Sequence, residues 1–243
     1  MKKLILTSLF AIIVIAAYGK GGQEMDTIKT SEGDLIITFI GHASLIFNFK
    51  GSAIFVDPYG ALADYTALGK ADLVLITHEH PDHLDLTAVK KITKKGTVFF
   101  CNEASSAKLP GSHILKNGES QNFKGIRIVV VPAYNIVHKR DSGEPFHVKG
   151  SGNGYVITFA DKKIYIAGDT ENIPEMKKLK DIYCAFLPMN IPYTMTPEMA
   201  ADAAKMIQPK ILYPYHFGET DTSKLVALLK DEKEIEVRIR RMK

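Results

Sequence analysis

Asp72-Leu73-Val74-Leu75-Ile76-Thr77 runs directly into His78-Glu79-His80-Pro81-Asp82-His83, so a short apolar stretch delivers the chain into a cluster of metal-binding side chains. The run Leu73–Ile76 is brief and continuous, the pattern of a buried strand. A strand end is a rigid mount for ligands. His78 and His80 flank Glu79, so in an extended or tightly turned backbone both imidazoles can face one point. Pro81 turns the chain, and Asp82 and His83 can then serve a second point nearby. Imidazole and carboxylate suit zinc and similar divalent ions when several converge. Random placement would produce H-x-H-x-D-H in about one chain in two thousand of this composition, so the cluster is read as a metal centre and not as surface histidines.

Upstream of the motif, Leu35–Ile40, Ser44–Phe49 and Ala53–Val56 read as strands punctuated by Gly41 and Lys50-Gly51, a β-meander. Downstream, Leu84–Lys94 has helical spacing with Leu84, Val89 and Ile92 inward. Thr97–Cys101 and Ile126–Val131 read as strands, the second ended by Pro132. Residues 135–153 carry His, Gly, Pro and charge and read as a long loop, a kind of segment that is often functional. Tyr155–Ala160 and Lys163–Ala167 suggest a hairpin, and Asp181–Leu187, Lys210–Tyr213 and Glu234–Ile239 further strands. Pro197–Ile207 reads as a helix capped by Thr196 with Pro at its first position, and Ser223–Lys230 as another. Strands in series with interspersed helices describe an α/β protein of layered sheets, with one domain from residue 34 to 243.

The 243 residues suffice for one sizeable core, and 46% hydrophobic with 24% charged residues is ordinary for a globular chain. The first residues differ. Met1-Lys2-Lys3 is positive, Leu4–Ala17 is almost wholly apolar, and Ala17-Tyr18-Gly19 offers small residues for cleavage after Gly19. Residues 1–19 are therefore expected to be a signal peptide, the alternative being an uncleaved anchor or an element of the fold, and the protein to be periplasmic or secreted. Residues 20–33 read as a polar linker. Removing Lys2 and Lys3 with the signal lowers the net charge from +4 to +2. With no basic block, no nucleic-acid partner is expected, and no stable membrane insertion after cleavage. The two cysteines, Cys101 and Cys184, each lie in an apolar strand-like run, as buried free thiols or as a bridge.

The order of motifs resembles the metallo-β-lactamase superfamily. H-x-H-x-D-H follows a strand and is preceded by a meander with Val56-Asp57-Pro58. Ala167-Gly168-Asp169-Thr170 looks like that family's bridging-aspartate motif, and Pro214-Tyr215-His216-Phe217-Gly218 like its last histidine. Gly41-His42-Ala43-Ser44, Val131-Pro132-Ala133-Tyr134-Asn135 and Tyr193-Thr194-Met195 resemble the branch with ascorbate-6-phosphate lactonase and related uncharacterised hydrolases. The resemblance covers about Leu35 to Gly218 and implies an αββα sandwich with its site at one edge. It further implies one metal on His78 and His80, a second on Asp82, His83 and His216, and Asp169 bridging them. A metal-bound hydroxide would be the nucleophile, with Asp82 orienting it or passing a proton. Two zinc ions are expected, with manganese or iron acceptable to the same ligands.

One position departs from the family pattern. Where many members carry a third histidine for the first metal, this chain has Asn135. His138 and His147 could compensate, and Phe146-His147-Val148-Lys149 makes His147 the preferred candidate. Asp57 is expected beneath the metals, hydrogen-bonded to a ligand or loop. His42 is either structural or within reach of the cleft, Tyr193 either pocket-lining or core, and His113 a surface residue. The leading function is hydrolysis of an ester, lactone or phosphodiester in a small molecule. A weakly active or inactive metal-binding protein with the same fold is the alternative. Nuclease and β-lactamase activity are minor readings, the latter disfavoured because Asp169 stands where those enzymes carry other residues. A diiron redox role would need a flavin-binding partner domain for which this chain has no room.

Overall fold

A computed structural model describes Ala17–Tyr18 and residues 22–243. The expected signal peptide therefore lies outside the described residues, apart from the two-residue strand β1 (Ala17–Tyr18), whose backbone pairs with Met25 and Glu24. Among the described residues the strands form two mixed sheets. The first follows chain order: β1, β2 (Glu24–Thr30), β3 (Gly33–Gly41), β4 (Ser44–Phe49), β5 (Ser52–Val56), β6 (Leu73–Leu75), β7 (Val98–Cys101) and β8 (His113–Ile114). It is antiparallel up to β5 and parallel from β5 onward. The second sheet contains β9 (Ser120–Phe123), β10 (Ile126–Ala133), β11 (Gly152–Phe159), β12 (Lys162–Ile166), β13 (Ile182–Pro188), β14 (Ile211–Tyr215) and β15 (Glu236–Val237). It too begins antiparallel and turns parallel, at β12.

Three apolar clusters show the layering. The largest lies between the sheets, with Ile37, Phe39, Phe47 and Ile54 facing Ile157, Phe159, Phe186 and Tyr213. A second covers the outer face of the first sheet, where helix α1 (Leu86–Ile92) buries Ala88, Val89 and Ile92 beside Leu84. A third covers the outer face of the second sheet, beneath helix α3 (Pro197–Ile207), α4 (Thr222–Leu228) and a 3-10 turn at Pro174–Lys178. Helix α2 (Glu103–Ser106) is a single capped turn after β7. Helix, sheet, sheet, helix is the αββα sandwich of the α/β class. Among the described residues no helix is long and apolar enough to cross a membrane.

Several local expectations are met. Thr196 accepts from Met199 N and caps α3, and His113 is exposed. Cys101 and Cys184 are free and buried, each in a different sheet. Two expectations are corrected. The expected linker, residues 20–33, is in its described part a strand, because β2 pairs with β3 from Glu24↔Phe39 to Thr30↔Gly33. Pro132 does not end its strand: β10 continues to Ala133, with Pro132 opposite Asn153. The pairing with β9 stops at Val129, so at Pro132 one side of β10 is free and the missing N–H costs no ladder bond.

Candidate metal centre

The sequence-predicted site residues come together where strands end. His42 follows β3, Asp57 follows β5, His78 comes shortly after β6, Asn135 after β10, Asp169 after β12 and His216 after β14. The loop from residue 78 to 83 crosses this edge, turned by bonds from His83 N and Leu84 N to His80 O. His42, Asp57 and His216 all hold positive φ, at 50°, 42° and 45°. Such a backbone costs a non-glycine residue about 1–3 kcal/mol and persists only where the surroundings enforce it. Here the enforcement is visible. His216 N donates to His42 O at 2.9 Å, Asp57 N donates to Leu75 O at 3.0 Å, and the Ser44 hydroxyl donates to Asp57 O. Gly168, before Asp169, has φ +67°, and a Cβ there would stand 2.7 Å from Asn153 O.

Two sets of donor atoms converge. His78, His80 and His147 each place a ring nitrogen within 4.8 Å of the others, and His42, Asp82, His83 and His216 form a second such set. Asp169 lies between them. Its Oδ2 is 3.4 Å from His147 Nε2, 3.4 Å from His216 Nε2 and 3.9 Å from His78 Nε2, while its Oδ1 is 3.4 Å from His83 Nε2. Two ligands bonded tetrahedrally to one zinc are themselves ~3.4 Å apart. These spacings are long for hydrogen bonds and suited to sharing a cation. Asp82 Oδ2 receives His42 Nε2 at 3.0 Å and lies 3.7 and 3.8 Å from the Nε2 atoms of His216 and His83.

The outward nitrogens are held by the protein, which aims the inward ones. His83 Nδ1 is 2.9 Å from Asp57 Oδ2, and the fully buried Asp57 also accepts from Thr77 N and Thr77 Oγ1. His78 Nδ1 is 3.0 Å from Thr77 Oγ1. His147 Nδ1 is 2.7 Å from Asn135 Oδ1, which accepts the His147 backbone N–H as well. His216 Nδ1 lies 3.4 Å from the Asn190 side-chain amide. His83 Nε2, His147 Nε2, His216 Nε2 and Asp169 Oδ1 are then left buried with no hydrogen-bond partner. Buried polar atoms are rarely orphaned, and four aimed at one space fit missing cations.

Electrostatics agree with that fit. Burial pushes His147 down to about 4, so it is neutral near pH 7 as a ligand must be. Burial also lowers His78, further than Asp169 can restore. Burial works against charge on Asp169 and Asp82, but the surrounding histidines outweigh it and hold both carboxyls below the usual range. His83 departs from the others: Asp169 and Asp57 on its two sides raise it despite burial, so it holds a proton that ligation would displace.

Other positions resolve as follows. Asn135 orients His147 and has its own Nδ2 tied to Glu171 Oε1 and Tyr193 O. His138 turns from the ring of ligands, its Nδ1 2.7 Å from Glu171 Oε1. Tyr193 is not core: its half-exposed ring meets Phe146 edge-on at 5.1 Å. Sequence reasoning missed Thr77, Asn190 and above all Glu171. This fully buried carboxylate accepts from Ile136 N, Val137 N and His138 N and so fixes the loop that carries His147. Its only sequence signal was an acid following Asp169-Thr170.

Residues 36–216 match a family model described as the beta-lactamase superfamily domain. A UPF0173 metal-dependent hydrolase of Pelotomaculum thermopropionicum is 34% identical over 193 residues, covering 75% of this chain and 84% of that relative. Another from Methanopyrus kandleri is 32% identical over 198 residues, with 75% and 84% covered. Among solved structures, a protein from Parabacteroides distasonis described as a candidate metal-dependent hydrolase superposes with a TM-score of 0.87 at 49% identity, over 91% of this chain and all 100% of that one. A metallo hydrolase from Ignicoccus hospitalis shares the fold, with a TM-score of 0.68 at 24% identity over 86% and 95% of the two chains.

Proposed function

The chain belongs to the metallo-β-lactamase superfamily and is a metal-dependent hydrolase, and on that premise we propose that it holds two divalent cations and cleaves an ester, lactone or phosphodiester of a small molecule. The observation that carries this reading is the set of orphaned inward atoms on His83, His147, His216 and Asp169. His78, His80 and His147 would hold one cation, and Asp82, His83 and His216 the other, with Asp169 touching both. His147 takes the place left by Asn135, reaching in from the loop while Asn135 steers it. Zinc suits these donors, and manganese or iron are accepted by the same set.

Bound there, the cations would supply an acidified water as nucleophile and a Lewis acid for the oxygen under attack. Asp82 is accessible from solvent, with its side chain 37% exposed. Its carboxylate can orient the attacking water and take its proton. His42 holds Asp82 in place from behind. We also propose that residues 1–19 direct export and are removed, which sequencing the N-terminus of protein recovered from the source cell would test.

Elemental analysis of protein purified in the presence of zinc, manganese or iron should give about two metal equivalents per chain. A protein that takes up no metal, and gains no activity on a panel of lactones, phosphodiesters and a chromogenic cephalosporin, would refute the proposal. Asp169→Ala should abolish turnover of whichever substrate is found. Persisting turnover would remove Asp169 from the role of shared ligand.

A further inference from the structure

The segments beside the metal centre carry exposed apolar side chains. Among the described residues ten large hydrophobic side chains are exposed, and five of them (Ile136, Val137, Val148, Ile191 and Tyr193) fall on two segments, 135–153 and 190–195. Those segments make up about a tenth of the chain, so chance would place about one there. Isolated exposed hydrophobics need no explanation, whereas a cluster beside a cleft does. These same segments supply the site: Ile136 follows Asn135, Val148 follows His147, and Ile191 follows Asn190. They are also joined to each other, by Asn135 Nδ2 donating to Tyr193 O at 2.9 Å and by the Phe146–Tyr193 ring contact.

The rim is held in shape. Glu171 binds the backbone N–H groups of Ile136 and Val137 at 2.6 Å each, so the backbone that carries these side chains is fixed. Val137 stays 63% exposed. Two of the neighbouring cations are turned to other tasks, while a third, Lys139, is exposed. Arg140 lies over the Phe146 ring and donates to Phe146 O, and Lys149 pairs with Glu175 and the Tyr134 hydroxyl. A site built for a small phosphate ester would present such cations to the ligand. Here a fixed apolar surface adjoins the ligand set instead, and apolar surface exposed at a binding cleft gains by covering an apolar group.

We propose that the substrate is an ester or lactone whose acid part is an apolar chain or ring, seated on Ile136, Val137, Phe146, Val148, Ile191 and Tyr193 with its carbonyl over the metals. This rests on the hydrolase reading above and narrows it. The reaction adds water across the acyl C–O bond. The water oxygen bonds to the carbonyl carbon, the C–O bond to the alcohol breaks, and the alcohol oxygen leaves with a proton. The products are a carboxylate, which releases its own proton, and an alcohol.

The test uses the metal-loaded full chain with p-nitrophenyl acetate, butyrate and octanoate below their micellar concentrations, and bis-p-nitrophenyl phosphate alongside. Partial burial of six more methylenes predicts that kcat/KM rises about tenfold or more from acetate to octanoate. Val137→Ser and Ile191→Ser should flatten that gradient, and both positions are exposed enough for the variants to fold. Turnover of acetate or the phosphodiester with no rise toward octanoate would overturn the inference and leave the hydrolase reading standing. A flat gradient with sedimentation on phosphatidylglycerol vesicles would give the rim to a membrane and overturn it likewise. No turnover of any substrate would overturn both readings.

Discussion

Asn135 is a poor metal ligand standing where a histidine is expected, and its environment explains how the site tolerates it. Its oxygen receives both the backbone N–H and the ring Nδ1 of His147, and its nitrogen is anchored by the buried Glu171. Partners of this kind fix the tautomer and direction of a ligating imidazole, and losing one lowers metal affinity about 10–100-fold. Asn135→Ala and Glu171→Gln should each show that loss in a chelator competition, with one of the two proposed equivalents released first. Equal affinity for both equivalents, unchanged from the parent protein, would deny them the role. Gly168 makes a different point. Alanine there would strain a φ of +67° and push a Cβ to 2.7 Å from Asn153 O, for a cost of about 1–3 kcal/mol in denaturant unfolding. A change within 0.5 kcal/mol would contradict this, being the range of a neutral surface substitution. Residues 78 to 83, Asp169 and His216 were readable because each sits in a compact motif at a strand end. His147 stayed open between two candidates, since only folding of the loop brings it to His78. Glu171 carried little signal beyond its place after Asp169-Thr170, because most of its partners are backbone N–H groups, which carry no sequence mark.

At the scale of elements, the core strands followed from apolar runs, and the failures have a common cause. β2 escaped detection because Asp26 holds one of its two buried positions, the other being the apolar Ile28, and so breaks the apolar alternation that marks a strand. That aspartate is buried against Arg240, Arg238 and the Tyr213 hydroxyl, partners about two hundred residues distant. Asp72 works in the same way where several elements meet. It accepts Ala53 N at the start of β5 and pairs with Lys94 beyond α1 and Lys124 in the β9–β10 turn, so it ties the two sheets together. Burial opposes its charge, but these partners outweigh burial and bring its pKa from 3.8 down to about 2. The folded pKa is the lower one, so the stabilisation is complete above pH 3.8 and lost as pH falls through about 2. Asp72→Asn should therefore unfold more easily at pH 7, by roughly 1 kcal/mol once solvent screening is allowed for. The gap to the parent should narrow below pH 4. Thermal scans at pH 7, 5 and 3 would check this, and a gap independent of pH would show that the charge on Asp72 does not produce it.

Across the whole molecule, the last residues of the chain bind the two sheets and reach the metal centre. Arg240 sets its guanidinium on both oxygens of Asp26 in β2, at 2.7 and 2.8 Å, and over the rings of Phe39 and Tyr213 from opposite sheets. Met242 is fully buried in the cluster between the sheets. Its carbonyl accepts Phe217 N at 3.4 Å, and Lys243 O accepts His42 N at 3.1 Å. His42 in turn holds Asp82 and its carbonyl receives His216 N, so the tail supports one half of the ligand set through one intermediate residue. Two effects can be separated. Met242→Ala removes packing and should cost about 2–5 kcal/mol, leaving metal affinity unchanged. Deleting residues 239–243 also removes Arg240, the closer of the two guanidiniums on buried Asp26, with Arg238 left at 3.4 Å; complete loss of such a pair typically costs about 3–5 kcal/mol, so this loss should be a fraction of that. The deletion should therefore unfold at lower denaturant than Met242→Ala, and it should release one metal equivalent more readily, because His42 loses its backbone anchor. Denaturant melts with metal loss followed by a chromogenic chelator would read both. A deletion that melts with Met242→Ala and keeps both equivalents at parental affinity would make the tail a matter of packing only.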